Sequence, residues 1–212
     1  MVVLERAYLY ALDHIDELLD ALLRHLMLVG VAIGIAILVC VPLGIWISRR
    51  RAVAGPVIGL FNSLRVIPSL AILFLAIPYF GLSFTSAAIA LTILALPPVL
   101  INTDAAFRTI DPAIRESAFG MGMARRQILW RIELPLALPV MIAGVRTAAV
   151  EVIASATLAA FIGSGGLGIY VTRGFALYDH AILLVGAIPV ALLTLLAEGL
   201  IGGLQRALQP PN

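Results

Sequence analysis

Long apolar stretches without a charged residue are the feature that most limits what this chain can fold into. The stretch from Leu26 to Ile47 contains no charged side chain. A helix needs roughly 20 apolar residues to cross a hydrocarbon core about 30 Å thick, because each helical residue rises about 1.5 Å. This stretch is therefore predicted to be a membrane-spanning helix.

Four further stretches are also long and predominantly apolar, so we predict five spans. They are expected at about 26–47, 56–78, 84–103, 135–161 and 180–204. Pro78, Gly81 and Ser83 separate the second span from the third, which Pro97-Pro98 is expected to kink. The composition agrees, because 62% of the residues are hydrophobic and 12% are charged, whereas soluble domains average about 25% charged residues. We therefore predict an all-α polytopic membrane protein.

The chain divides near residue 24. Residues 1–24 are amphipathic and acidic and lack the basic patch and directly following apolar stretch of a signal peptide. We expect them to form an interfacial or exposed helix that leads into the first span. Residues 25–208 are expected to form one transmembrane domain, in which small residues recurring four apart predict that the fourth span is a central, closely packed helix.

The distribution of arginine predicts the orientation, since the chain has no lysine. Nine arginines fall on one side of the five spans: Arg49, Arg50, Arg51, Arg108, Arg115, Arg125, Arg126, Arg131 and Arg206. Three fall on the other side: Arg6, Arg24 and Arg173. Because cytoplasmic loops are enriched in basic residues, we expect the N-terminus outside, the C-terminus inside and the loop 104–134 in the cytoplasm.

Two short helices are predicted in this loop. Asp111-Pro112 is a helix-start signal, with a capping side chain followed by proline at the first helical position. Gly120 and Gly122 are expected to end this helix or turn it sharply. A second helix is expected at about 124–132, with a break at Leu134-Pro135 before the fourth span. Two short helices joined by glycines would form a compact protrusion that fits a cleft.

The segment from Glu116 to Pro135, ESAFGMGMARRQILWRIELP, has a fixed register in which Gly122 lies six residues after the glutamate. This register resembles the "EAA" loop of ABC importer permeases (type I, MetI-like), the membrane subunits of binding-protein-dependent transporters. In that family the loop docks into the ATPase subunit. The resemblance implies these ATPase-coupling residues: Glu116, Ser117, Ala118, Gly122, Arg125, Arg126, Ile132, Leu134 and Pro135. The alternative is an ordinary cytoplasmic loop, in which Glu116 caps the second helix.

Two other segments resemble the osmoprotectant subgroup of these permeases, which imports glycine betaine, carnitine and choline. They are NSLRVIPSL, residues 62–70, and the segment from Gly144 to Phe175, above all its ATLAAFIGSGGLG. Methionine importers share the Ile-Pro and Gly-Gly-Leu-Gly pieces. Glu151 departs from the subgroup, where an apolar or aromatic residue is expected.

Charged residues inside the spans are costly and usually face a protein interior or a wet cavity. Glu151 is either a counter-charge for a trimethylammonium cation or the partner of Arg65 or Arg146. The glycines from Gly163 to Gly168 form either an outer gate or a plain turn. The candidate gate and translocation-path residues are Asn62, Arg65, Pro68, Ser69, Arg146, Glu151, Ser155, Gly163, Gly165 and Gly166.

No phosphate-binding G-x-x-x-x-G-K-[ST] motif is present, so ATP-Mg is expected on a partner. We expect no catalytic residue, cofactor or metal site in this chain, because its three histidines lack metal-ligand spacing and are expected at the interfaces. The net charge of +2 is too small for nucleic-acid binding.

The family implies a cytoplasmic ABC ATPase dimer, a second permease subunit (identical or paralogous), an extracytoplasmic substrate-binding protein and the lipid of a bacterial inner membrane. We therefore expect a multi-pass permease subunit of an ATP-driven osmoprotectant importer. The alternatives are an ABC permease for another small solute, such as an amino acid, and a secondary carrier or channel, although no self-similar halves are visible.

Overall fold

The computed structural model describes residues 3–209, and within this range the chain is helical with no β-strand. The α-helices are α1 (Val3–Asp13), α2 (Ile15–Ser48), α3 (Arg51–Leu64), α4 (Ser69–Phe80), α5 (Phe84–Arg108), α6 (Pro112–Gly120), α7 (Arg125–Ile128), α8 (Leu134–Ala156), α9 (Gly168–Ala176) and α10 (His180–Ala207). A π-helical turn, Leu129–Glu133, joins α7 to α8, and a 3-10 turn, Leu158–Ile162, follows α8.

Four long helices and one broken pair correspond to the five predicted spans. The helices α2, α5, α10 and the continuous run Arg125–Ala156 are each long and apolar enough to cross a membrane. The fifth candidate is α3 with α4, which meet at an angle of 88°. The span predicted at 56–78 is therefore formed by two helices that meet at a sharp angle. The break occurs just before Pro68, as expected from the steric restriction that proline places on the preceding residue.

Other predicted helix ends are also corrected. The helix that contains the first predicted span begins at Ile15, so it extends ahead of residue 26. The break predicted at Leu134-Pro135 is absent: the Leu134 N–H donates to the Leu129 carbonyl in the π-helical turn, and the helix passes the proline. This turn shifts the hydrogen-bond register just before Pro135, which has no N–H to donate. The fourth span ends at Ala156, ahead of the predicted 161.

The helix α5 lies at the centre of the bundle, where it packs against α2, α4 and α8 and continues through Pro97-Pro98. In its apolar segment 56% of the residues are buried, against 44% for Arg125–Ala156. A Cβ on Gly44 would lie 2.7 Å from Thr103, and one on Gly144 would lie 2.6 Å from Asn102. Small residues thus permit close helix approach. The third span is therefore more buried than the fourth, and α8, the helix of the fourth span, packs against α2, α5 and α10.

The N-terminal helix α1 packs against α10 and precedes the helix of the first span. The Arg6 guanidinium donates to the Asp179 carboxylate at 2.8 Å, and Asp179 also accepts from the Ala181 N–H to cap α10. The Ala181 N–H and the Arg6 charge lower the pKa of the Asp179 carboxyl. Arg173 donates to the Tyr10 hydroxyl at 3.3 Å, so polar contacts join α1 to the α9–α10 end of the bundle.

Candidate functional site

The loop between α5 and α7 contains the first predicted short helix with its predicted signals. The Asp111 side chain accepts from the Ala113 N–H at 2.9 Å, and α6 begins at Pro112. The helix ends at Gly120, and the Met123 N–H donates to the Ala118 carbonyl at 3.1 Å. Gly122 has a φ of +78°, a left-handed conformation that glycine adopts without steric cost. The loop therefore turns sharply after α6.

Most of the predicted coupling residues lie on the surface. Glu116, Ser117, Gly122, Arg125, Arg126 and Pro135 are exposed, Ile132 and Leu134 are half-buried, and Ala118 is buried. Phe119, Met121 and Trp130 are also exposed. Aromatic residues, methionine and arginine are enriched at protein interfaces, so this surface has the composition of a docking face.

Glu116 does not cap the second helix. The Gln127 side chain accepts from the Ala124 N–H at 2.9 Å and occupies that role. Within residues 3–209 no arginine lies within ion-pair distance of the Glu116 carboxylate. Its side chain is therefore available to a partner outside this chain.

A buried carboxylate at the base of the loop ties α6 to the membrane helices. Glu133 is 2% exposed, and one of its oxygens accepts from Arg49 and the other from Arg115, both at 2.6 Å. Arg115 also donates to the Phe107 carbonyl at 2.6 Å. One carboxylate thus joins the end of α2, the helix α6 and the start of α8, while Arg115 also contacts the end of α5. The buried charge of Glu133 is compensated at both of its oxygens.

A second ion pair lies beside this one. Arg108 donates to the buried Asp104 at 2.7 Å, one helical turn away, and its guanidinium also lies 3.4 Å from the Ile47 carbonyl of α2. The other Asp104 oxygen is buried without a hydrogen-bond partner in the described chain. The ends of α2 and α5 are therefore held together by polar contacts as well as by packing.

The sequence does not predict this cluster. Glu133 lies inside the Ile132-x-Leu134-Pro135 register, at the position for which the register specifies no residue type. Arg49 and Arg115 enter the sequence prediction only as indicators of orientation. The position of Glu133 could have indicated the cluster, because an acidic residue at the start of an apolar span is costly without a partner. The identity of its partners depends on the fold, since Arg49 is remote in the sequence.

The charged residues within the spans pair across helices. Arg65, at the break between α3 and α4, donates to Glu151 of α8 at 2.5 Å, and Arg146 of α8 lies 3.1 Å from Glu198 of α10. Glu151 therefore pairs with Arg65, not with Arg146. The Arg65 and Glu151 side chains remain 44% and 30% exposed, so this pair lies on an accessible face.

The remaining path candidates surround the break or lie along α8. Asn62 and Pro68 are exposed, and Ser69 and Ser155 are half-buried. Ser155 lies one turn beyond Glu151 on the same helix, whereas Arg146 contacts Gln205 at 3.3 Å, on the α10 side. The structure thus brings together Arg65 and Glu151 and places Arg146 in a separate contact.

The glycine-rich segment after α8 is a compact turn packed on α2. Gly163, Gly165 and Gly166 have φ values of +69°, +85° and +85°. A Cβ on Gly168 would lie 2.0 Å from the Thr157 carbonyl oxygen, so only glycine fits there. A Cβ on Gly165 would meet Arg24 at 3.0 Å. The segment therefore fixes the end of α8 against the start of the first span.

His25 lies beside this turn and corrects the expectation that all three histidines are interfacial. It is fully buried, and its Nε2 lies 3.1 Å from the Ile153 carbonyl of α8. A carbonyl only accepts, so Nε2 carries the proton. Buried polar side chains normally have such a partner.

Comparison with known proteins gives consistent results. Residues 40–210 match the family described as binding-protein-dependent transport system inner membrane component. The chain is 44% identical over 187 residues to the carnitine transport permease protein OpuCB of Listeria monocytogenes, with 88% of this chain and 86% of that protein covered. It is 38% identical over 206 residues to the osmoprotectant import permease protein OsmW of Salmonella typhimurium, with 95% and 96% covered.

Solved structures show the same fold. An inward-facing structure of the MetNI methionine ABC transporter matches with a TM-score of 0.83 at 20% identity, covering 93% of this chain and 99% of that chain. An amino acid ABC transporter with histidines matches with a TM-score of 0.73 at 19% identity, covering 94% and 97%. In this family the ATPase is a separate subunit. The chain belongs to the binding-protein-dependent transport system inner membrane component family and is a multi-pass, non-catalytic permease subunit of an ABC importer of the inner membrane.

Proposed function

We propose that this permease imports quaternary ammonium osmoprotectants of the glycine betaine, carnitine and choline type. The supporting observation is its identity of 44% to 36%, over most of its length, with permeases named for these solutes. The likeness to the methionine transporter, at 20% identity, concerns the fold alone. It gives no reason to prefer an amino-acid substrate.

The permease acts with a cytoplasmic ABC ATPase dimer that binds ATP-Mg, a second permease subunit and an extracytoplasmic substrate-binding protein. We infer that the N-terminus lies outside and the C-terminus inside, as the excess of arginine on one side supports. The loop with α6 then faces the cytoplasm, where the ATPase can reach it.

Coupling to the ATPase is assigned to the exposed face of α6 and the turn that follows it. Glu116, Arg125 and Arg126 supply the charged contacts of this face. Displacement of α6 reaches α2 and α8 because Glu133 holds Arg49 and Arg115 together. Both oxygens of the buried Glu133 are occupied by these arginines, so we expect this junction to move as a unit rather than separate.

The translocation path is assigned to the accessible face at the broken span. Arg65 neutralises Glu151 there when no solute is present. A quaternary ammonium cation carries the same charge as Arg65 and therefore competes with it for the Glu151 carboxylate. This assignment makes Glu151 a substrate-facing residue and Arg65 its internal counter-charge.

Uptake by proteoliposomes tests the proposal. The permease is reconstituted with its ATPase and binding protein, and labelled glycine betaine, carnitine or choline is supplied outside with ATP inside. We expect uptake that requires ATP and is blocked by vanadate. Labelled methionine and liposomes with an ion gradient but no ATP are the controls. Methionine uptake without betaine, carnitine or choline uptake would contradict the proposed substrate class, and uptake driven by the ion gradient alone would contradict the mechanism.

A further inference from the structure

A cleft of about 640 Å³ opens at the junction of the membrane helices with the coupling loop. It lies where α2 and α5 end and where α3, α6 and α8 begin. Four arginines line it, Arg49, Arg51, Arg108 and Arg115, together with the buried Glu133. A cleft with this lining is suited to an anionic ligand.

Positive charge exceeds negative charge around this cleft. Arg49 and Arg115 share one carboxylate, Glu133, and Arg108 pairs with Asp104. In the described part of the chain Arg51 has no carboxylate within ion-pair distance. Four guanidinium groups therefore face two carboxylates, and two positive charges remain uncompensated.

The arginines also have unused hydrogen-bond donors. Each guanidinium carries five N–H groups, and Glu133 accepts from one nitrogen each of Arg49 and Arg115. The Arg49, Arg108 and Arg115 side chains are 47%, 31% and 31% exposed. A tetrahedral oxyanion that enters the cleft can accept hydrogen bonds from several of them without displacing Glu133.

The position of the cleft along the membrane normal places it among the lipid headgroups. Trp46 is 45% exposed on the last turn of α2, and the Arg50 guanidinium lies 5.0 Å from the centre of its ring. Exposed tryptophan is enriched at the membrane–water interface. Arg49 and Arg51 flank Arg50 in the sequence, so the cleft lies at the same level. Basic pockets between membrane helices on the cytoplasmic side bind anionic lipid headgroups.

We propose that this cleft binds the phosphate group of an anionic phospholipid. The phosphate accepts from Arg51 at the start of α3 and from the unused donors of Arg108 and Arg115. It thereby joins the second span to α5 and α6 and adds a negative charge to a junction where arginines outnumber carboxylates. Occupancy stabilises the base of the coupling loop, a role independent of which solute is transported.

Lipid binding to the transporter complex, purified with its ATPase in a neutral detergent, tests this proposal. Phosphatidylglycerol, phosphatidylcholine or inorganic phosphate is titrated. Bound lipid is counted by native mass spectrometry, and the unfolding temperature of the complex is measured with each ligand. We expect phosphatidylglycerol to bind in preference to phosphatidylcholine. Arg51→Gln should weaken its binding about fivefold, whereas Arg51→Lys should retain it. Arg50→Gln removes the same charge from the neighbouring position outside the cleft and should change binding less than twofold.

Three results would overturn the proposal. Equal losses in Arg51→Gln and Arg50→Gln would mean general surface attraction instead of a site. If inorganic phosphate alone raised the unfolding temperature and phosphatidylglycerol added nothing, the ligand would be a free anion. If phosphatidylglycerol bound only after the ATPase was removed, the cleft would belong to the ATPase interface.

Discussion

Replacing Glu133 with glutamine tests whether one buried carboxylate holds the coupling helix to the membrane helices. The substitution keeps the shape of the side chain and removes its charge. Arg49 and Arg115 each donate to a different oxygen of Glu133 at 2.6 Å. Glutamine presents an oxygen to only one of them and turns its NH₂ group, itself a donor, toward the other. One guanidinium is therefore left facing a donor.

The size of the effect follows from the exposure of the three side chains. A hydrogen bond to a charged group contributes about 1.5–3 kcal/mol, and two are weakened here. The Glu133 side chain is 3% exposed, but those of Arg49 and Arg115 are 47% and 31% exposed, so water recovers part of the loss. We expect the complex to lose about 2–3 kcal/mol of stability, less than the about 3–5 kcal/mol of a fully buried pair.

Unfolding and transport are measured on the same preparation. Thermal or denaturant unfolding of the purified complex reports the stability, and proteoliposomes report both ATP hydrolysis and solute uptake. We expect Glu133→Gln to lower the unfolding midpoint and to reduce the solute transported per ATP more than it reduces hydrolysis. Glu116→Gln is the matched control, because it makes the same chemical change at an exposed position of the same loop and should alter stability by less than about 0.5 kcal/mol.

A double-mutant cycle provides the refutation. If Glu133 and Arg49 interact as described, Arg49→Gln should cost less stability in the Glu133→Gln background than in the wild type. Equal costs in both backgrounds would show that the ion pair contributes nothing. Wild-type stability and wild-type uptake per ATP in Glu133→Gln would refute the assignment of this junction to coupling.

Three further predictions concern other parts of the molecule. Gly168→Ala should destabilise the protein by about 1–3 kcal/mol through overpacking against the Thr157 carbonyl, whereas Gly199→Ala, in a helical position with open space, should be neutral or stabilising in the same unfolding assay. Glu151→Gln should reduce betaine uptake because it removes the carboxylate proposed to hold the ammonium group, and adding Arg65→Gln should not restore it; recovery of uptake in the double variant would show that the pair only balances charge and would contradict the proposed path. Arg125→Glu should weaken co-purification of the ATPase without changing the unfolding midpoint of the permease.

The spans and the start of the coupling helix were predictable because they depend on local chemistry. An uncharged apolar stretch such as 26–47 can satisfy its backbone in a membrane only as a helix or a closed barrel. Likewise, Asp111-Pro112 caps α6 through neighbouring residues alone. Both features require no knowledge of distant parts of the chain.

The details that depend on neighbouring helices were not predictable in the same way. The 88° break between α3 and α4 lies at Arg65, whose partner Glu151 belongs to a distant helix. The continuous helix through Pro135 depends on a π-helical turn. The presence of proline in the sequence predicts a break there and does not indicate such a turn. The central position of α5 reflects where Thr103 and the facing Gly44 permit close contact, which composition alone does not determine.

Charge is distributed differently in the membrane helices and at the coupling junction. Within the spans the arginines are matched one to one, Arg65 by Glu151 and Arg146 by Glu198. At the junction arginines outnumber carboxylates. Charges within a membrane are tolerated when they are paired or reach water, whereas the interface accepts unpaired arginine readily. The excess of charge at the junction is therefore compatible with the fold, and it gives this part of the permease an affinity for negatively charged groups that the matched pairs in the spans do not provide.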